Sequence, residues 1–315
     1  MITQDQQLAP LRDTCNAEGT FDAQSPLYFV GGNQNVCELV YALPMLRARN
    51  VVMDSSGRMT YSLRRASIGV PEPDFYTTSV APPQDPTTQT ADVPINLARL
   101  GSRFDALKID VEAAALGRSY NPRDWRLQSV VTLVLRKLDK AVAQGQGTES
   151  PAWFKGLKSL VTRSSATTTS ADTDAFLALS SVYPNGAGAG EGPCCLVGNN
   201  DLLKALMNTG AGQTGLSGWR HDPWVDRPVY HFMGIPFYRT QVESVASTTT
   251  LYALNLGRTG VNLIYAYGNP KTFGLEVNEL ATDVSTGKTA YLVHGAFALA
   301  LWEEEAAFKV TSVPV

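Results

Sequence analysis

The chain has 315 residues, 44% of them hydrophobic and 9% aromatic, with a formal net charge of -3. That length allows one large domain or two intertwined ones around a sizeable core. The charge excludes the dense cationic surface on which tight nucleic-acid binding rests. No run of about 20 apolar residues is present, and the opening MITQDQQLAPLRD lacks a charged-then-apolar leader, so the expectation is no membrane attachment and a stay in the cytoplasm of synthesis.

Residues 1–50 have no sustained period and are punctuated by Pro10, Pro26, Gly31-Gly32 and Pro44. They read as an extended arm that needs something to lie on, with a turn or two of helix between Val36 and Leu46. From Arg58 the period becomes two: Met59, Tyr61 and Leu63 alternate with Thr60, Ser62 and Arg64, as in a half-buried strand. A second alternation places Leu107, Ile109 and Val111 against Lys108, Asp110 and Glu112. Between the two lie Pro71, Pro73, Pro82, Pro83, Pro86 and Pro94, which cannot donate to a ladder and so exclude a central strand. Either a long two-stranded hairpin with a Pro-stiffened tip or a surface loop fits. A ribbon of two strands is marginal alone in water.

The clearest helix spans 121–143. Asn121 suits the N-cap, Pro122 the first helical position, and Asp124 the first turn. Leu127, Val130, Val131, Val134, Leu138, Ala141 and Val142 recur on one face, and Gly145 and Gly147 end it. Asp172 or Thr173 caps a second helix through Phe176, Leu177 and Leu179. A Gly-rich link follows, then a buried strand Cys194–Val197 and a helix capped by Asn199-Asn200-Asp201 and carrying Leu202, Leu203, Leu206 and Met207. The last third reads as strands: Val229–Phe232, Gly234-Ile-Pro-Phe-Tyr, Thr250–Leu256, Val261–Tyr267, a hairpin turning at Ser285–Lys288, a long return Tyr291–Trp302, and Phe308–Val313. Mixed elements without βαβ repetition indicate an α+β fold.

The sequence offers little that reads as chemistry. Gly186-Ala-Gly-Ala-Gly-Glu-Gly precedes a strand where a dinucleotide loop must follow one, and there is neither a phosphate loop nor a nucleophile elbow. Cys15, Cys37, Cys194 and Cys195 lack metal-site spacing and are expected to be free thiols. His221 with Asp222 and Asp226 is the one suggestive cluster, but neighbours on a strand point to opposite faces, so a structural role is expected. Glu303-Glu304-Glu305 would likewise split between faces on a strand, or form a solvated turn. We expect no catalytic residue, no cofactor and no metal.

The order of parts nevertheless resembles tailed-bacteriophage major capsid proteins of the Hong Kong 97-type fold. Tyr291-Leu-Val-His-Gly-Ala-Phe-Ala-Leu-Ala-Leu-Trp with Ala307-Phe-Lys-Val is similar to that family's closing strands. Gly156-Leu-Lys-Ser-Leu resembles the segment after its spine helix, and Gly234-Ile-Pro-Phe-Tyr its recurrent strand entry. The resemblance implies an N-terminal arm (1–50), an extended hairpin loop (51–113), a peripheral domain (114–159 and 272–315, with spine helix 121–143) and an axial domain (160–271). It implies many copies in hexamers and pentamers, forming an icosahedral virion shell assembled in the host cytoplasm. Scaffolding and cement proteins and a portal would be partners, and packaged double-stranded DNA would be contacted non-specifically. The inter-subunit contacts expected on this reading are Arg58, Arg64, Arg65, Arg99, Arg103, Glu303 and Glu305. Some members join a loop Lys to a neighbour's Asn, but residues 51–107 contain no Lys, and Arg cannot serve as that nucleophile. The fifty residues before the loop leave no room for a fused scaffolding domain. An encapsulin-like shell shares the fold, though encapsulins usually begin with a helix. A small-oligomer enzyme built around His221 and Asp226 is the other class, and a fibre protein fits poorly without heptads or repeats.

Overall fold

The computed structural model describes residues 38–49, 51–53, 59–67, 89–108, 111, 122–147, 153–167, 170–182, 194–222, 225, 227–242, 247–256, 260–268 and 273–315. In chain order these form α1 (Glu38–Ala42), β1 (Met45–Arg47), β2 (Val52–Met53), β3 (Met59–Ser67), β4 (Gln89–Leu107), α2 (Pro122–Gln144), α3 (Leu157–Leu160), β5 (Ser164–Ala166) and α4 (Ala171–Val182). The chain continues with β6 (Cys194–Gly198), α5 (Asn200–Met207), β7 (Gly218–Asp222), β8 (Arg227–Phe232), β9 (Ile235–Arg239), β10 (Thr248–Asn255), β11 (Val261–Tyr265), β12 (Leu275–Asp283), β13 (Lys288–Leu301) and β14 (Ala307–Pro314). Among the described residues the strands make two seven-stranded sheets. The first runs β1-β11-β13-β4-β3-β2, with β12 also on β13; the second runs β5-β14-β10-β6-β9-β8-β7.

The second sheet is a wall with a core on each side. Side chains alternate across a strand, so Cys195, Val197, Tyr238, Tyr252 and Leu254 face the larger core, which holds α2 and the first sheet. Leu196, Phe237, Leu251, Ala253 and Val310 face the smaller core beneath α4 and α5. Burial on both faces explains why Cys194–Val197 and Leu251–Leu254 are apolar without alternation.

Helix α2 buries every residue of its expected face, with Leu127, Val131, Leu138 and Val142 at 0% exposure. It ends where Gly145 and Gly156 pack backbone to backbone. The Gly156 amide donates to the Gly145 carbonyl (2.8 Å), which also accepts from the Ser159 hydroxyl (2.9 Å). Lys137 lies 4.1 Å above the Trp153 ring and closes the same return.

Three expectations are corrected, and of the two readings of the acidic run the turn is the one observed. The second hairpin strand is Gln89–Leu107, upstream of the alternation Leu107–Val111, and its register runs from Met59↔Leu97 to Ser67↔Gln89. Pro94 lies inside it, opposite Ser62. β13 joins β4 only from Ala98 onward, so among the described residues Pro94 sits where the strand's other edge carries no ladder and its missing N–H is tolerated. Helix α4 begins at Ala171 and buries Ala171, Ala175, Ala178 and Val182, leaving Phe176 exposed; small residues let it lie close on the sheet. Residues 38–49 are no free arm, since Leu39–Leu43 are buried in the chain's own core and β1 pairs with β11. Most of the arm (1–37) and the loop tip (68–88) lie outside the described residues. Finally, Glu304–Ala306 form a short 3-10 turn, not a strand, where β13 passes into β14.

One polar joint ties α1, α2 and the end of β9. Glu38, 1% exposed, accepts from the Arg239 amide (2.8 Å) and Nε (2.9 Å), and its carboxylate also meets Nη2 of Arg239. One residue on, the Thr240 hydroxyl donates to Asp139 Oδ1 (2.9 Å) and the Gln241 amide to Oδ2 (3.1 Å). The Gln241 side chain returns a hydrogen bond to the Arg136 carbonyl (3.0 Å), and Gln144 Nε2 donates to the Gln241 carbonyl.

Two substitutions test these contacts by chemical denaturation. A Cβ on Gly156 would lie 2.3 Å from the Ala141 carbonyl oxygen. Gly156→Ala is expected to cost about 1–3 kcal/mol, the range for overpacking, while Gly210→Ala, with nothing within 4 Å, stays within about 0.5 kcal/mol. Arg239→Met removes the guanidinium facing buried Glu38 and is expected to cost about 3–5 kcal/mol. A loss no larger than that of an exposed substitution would mean the pair does not hold the joint.

Candidate functional site

The feature most in need of a partner is the ribbon made by β3 and the first half of β4. Among the described residues it gains only the two-residue β2 beside Met59 and Thr60. At its base Met59 and Leu97 are paired and buried, with the Tyr267 hydroxyl 3.6 Å from the Met59 sulfur. Arg99 extends this base: its Nε and Nη2 each lie 3.5 Å from a sulfur, of Met59 and Met53 respectively. Val52 and Met53 beside it are exposed.

The expected contact residues are dispersed. Arg103 meets Asp105 at 3.4 Å, both well exposed, a pair worth little in isolation. Arg126 reaches the Asp105 carbonyl from α2. Arg64 and Arg65 stand on β3 opposite Asp92 and Ala91, and Arg58 lies outside the described residues. Glu303 precedes the turn before β14 and Glu305 lies within it, exposed, with its carbonyl 3.3 Å from Arg163 Nη1. Arg99 and Arg103 therefore share the outward side of β4, while the glutamates sit at the crossing between sheets.

The histidine cluster separates as strand geometry requires. His221 is exposed on β7, and Asp222 is buried on the opposite side. Asp222 Oδ2 accepts from the Tyr238 hydroxyl (3.0 Å) and Oδ1 from the Val225 amide (3.3 Å), with His231 Nε2 at 4.0 Å. Burial pushes the Tyr238 phenol far up, and nearby Cys195 and Asp222 add to this, so it stays a proton donor. Asp226, Gly186–Gly192, Cys15 and Cys37 lie outside the described residues. Cys195 is fully buried in the larger core. Among the described residues no three His, Cys, Asp or Glu side chains are placed to hold a metal ion, and no helix is long and apolar enough to cross a membrane.

Two features escaped the sequence reading, and a third was expected only in outline. Asp139 sits within the buried stripe of α2, where burial pushes its carboxyl up to about 7 against the hydrogen bonds from Thr240 and Gln241, and Glu38 pushes it further. Its signal was a lone carboxylate four residues after Leu135 on the apolar face. The second feature is the loop 208–217. It is braced by Thr209, Ser217 and the Tyr230 hydroxyl, the last donating to the Gly212 carbonyl (2.9 Å). The loop presents exposed Leu216 beside exposed Trp219 on the edge strand β7. The third is the β12–β13 hairpin, which projects with residues 278–288 exposed. Asp283 holds its turn by accepting from the Ser285 hydroxyl (2.7 Å), the Ser285 amide (2.9 Å) and the Thr286 hydroxyl (2.9 Å). Those bonds hold the Asp283 carboxyl below its ordinary value.

No protein-family model and no curated protein matches the sequence. Solved structures do match the fold. An encapsulin complex from Synechococcus elongatus superposes with a TM-score of 0.60 at 14% identity, covering 97% of this chain and 95% of its own. The capsid of an empty GTA particle gives 0.58 at 13% identity, covering 93% and 100%. The capsid of cyanophage P-SCSP1u gives 0.54 at 11% identity, covering 90% of each chain. The superpositions span nine-tenths or more of this chain and of each of theirs, and the chain has the α+β Hong Kong 97-type capsid fold.

Proposed function

We propose that this chain is the major capsid protein of a tailed bacteriophage, and that many copies close into an icosahedral shell around double-stranded DNA. The observation that carries the reading is the match over nine-tenths or more of the chain to proteins that build closed particles. The ribbon supports it. Two strands cannot bury enough of themselves to persist in water, and a neighbouring copy is the surface such an element requires. On this reading the chain divides much as the sequence implies, with an arm (1–37), residues 38–49 joined to the body, an extended loop (51–113), a peripheral domain (114–159 and 272–315) and an axial domain (160–271). Arg99 and Arg103 on β4, Arg58, Arg64 and Arg65 near the ribbon, and Glu303 and Glu305 at the crossing turn supply rim contacts. Each is weak alone and effective in number. The role is structural, not enzymatic. A net charge of -3 suits a container, because a lining that gripped phosphates would immobilise its contents. Scaffolding and cement proteins and a portal complete the assembly, which takes place in the host cytoplasm and ends in the virion.

The encapsulin match gives a second reading, a shell for protein cargo. Nuclease-protected DNA inside purified particles supports the phage reading, and a co-purifying protein cargo with no DNA supports the other.

Negative-stain microscopy of the full-length protein is expected to show closed particles of uniform diameter. Elution as a small oligomer with no particles would sink the shell reading. Denaturing electrophoresis of those particles is expected to give monomers, since residues 51–107 offer no Lys; a ladder of multimers would overturn the non-cross-linked shell.

A further inference from the structure

Four carboxylates are buried among the described residues, Glu38, Asp139, Asp174 and Asp222, while no Lys, Arg or His is buried. Three have a means of carrying charge. Glu38 faces the Arg239 guanidinium, and Asp222 has the His231 ring at 4.0 Å. Asp174 lies in the first turn of α4, where the helix dipole favours an anion, and accepts from the Thr167 hydroxyl (2.6 Å).

Asp139 differs in every respect. It is 0% exposed and lies far from the N-terminal turn of α2, the place where a helix dipole favours an anion. Its oxygens meet an uncharged hydroxyl and an uncharged amide. The charged groups on the surrounding elements do not compensate. Glu38 on α1 acts against ionisation, and Arg239 is committed to Glu38. Arg136 and Lys140 on its own helix are part-exposed, and Arg136 offers the joint its backbone carbonyl. Lys158 on α3 and Lys288 on β13 are exposed, Asp105 of β4 lies by Arg126 towards the other end of α2, and His294 of β13 is bonded to Asn278.

We propose that Asp139 holds a proton in the folded chain, and that this neutral carboxyl is a latch between α2 and the 240–241 segment which loosens when the proton leaves to solvent. Neutral, it accepts from Thr240 and Gln241 and adds a donor to the joint. Ionised, it is a fully buried anion beside a second carboxylate. Burial that raises the carboxyl from 3.8 to about 7 fits this geometry. Between those values the unfolded chain has released the proton that the folded chain keeps. Each pH unit then weakens folding about tenfold through this one group, and the dependence stops above about 7. The latch belongs to a single chain and is independent of the shell reading.

The test compares the full-length protein with Asp139→Asn, which preserves the shape of a neutral carboxyl. The ratio of wild-type to variant unfolding constants is expected to rise approaching about 100-fold from pH 5 to 7 and then level. Difference infrared spectra of the folded protein should contain a protonated-carboxyl band lost with a midpoint near 7 and missing from Asp139→Asn. Thr240→Val, which removes a donor that favours the ionised form, should move that midpoint upward. A ratio independent of pH, a band already absent at pH 5, or a midpoint unmoved by Thr240→Val overturns the latch. The infrared readings decide the matter even if Asp139→Asn does not fold.

Discussion

Burial of the second sheet on both faces is the constraint on which the rest of the molecule depends. A wall with a core on each side can carry no charge at its centre, so β6 and the Leu251–Leu254 stretch of β10 are apolar. Charged groups are displaced to its margins, and the end of β9 is where they gather. Tyr238 still belongs to the wall, Arg239 meets Glu38, and Thr240 and Gln241 meet Asp139. Three consecutive residues thus fasten the wall to a short helix from the chain's start and to its longest helix. Apolar contacts alone would let those helices slide; directional bonds fix one arrangement.

The second consequence lies in β4. Its later half is held against β13 in the body of the first sheet, while its earlier half continues into a ribbon paired, among the described residues, with β3. One strand is therefore rigid at one end and unsupported at the other. Pro94 marks the unsupported half, tolerated because no further ladder needs its N–H. The half held by β13 sets the direction of the ribbon, and the half beyond it has more freedom to adapt.

How far the sequence foretold this follows from which forces act locally. The helix over Pro122–Gln144 was legible because its stripe, its N-terminal Pro and its terminal Gly all agree. The strands β8 to β14 were legible for the same reason, down to the Asp283-anchored turn. Helix α4 was found but its face was misread: Phe176 and Leu177 outweigh Ala171, Ala175 and Ala178 in any hydropathy pattern, yet close helix-on-sheet packing selects the small residues. Strand Gln89–Ala98 was hidden by Pro94 and by polar residues that an edge ribbon permits. β7, with the sequence GWRHD and mostly exposed, carries no apolar alternation to find. Of the contact residues, Arg99 and Arg103 were placed together on one side of β4, whereas the histidine cluster dispersed because adjacent strand residues diverge.

The joint was illegible for a different reason. Glu38 and Arg239 are 201 residues apart, and Asp139 and Thr240 are 101 apart; no local period reports such pairings. Their chemistry argues for a role beyond cohesion. Apolar residues of similar volume at these positions would hold the helices at least as well, because a buried ion pair recovers little of its desolvation cost. What the polar version adds is discrimination, since an arrangement that misplaces α2 by one turn leaves carboxylates facing hydrocarbon. A single permitted geometry between wall and helix fixes the direction in which the ribbon leaves the body.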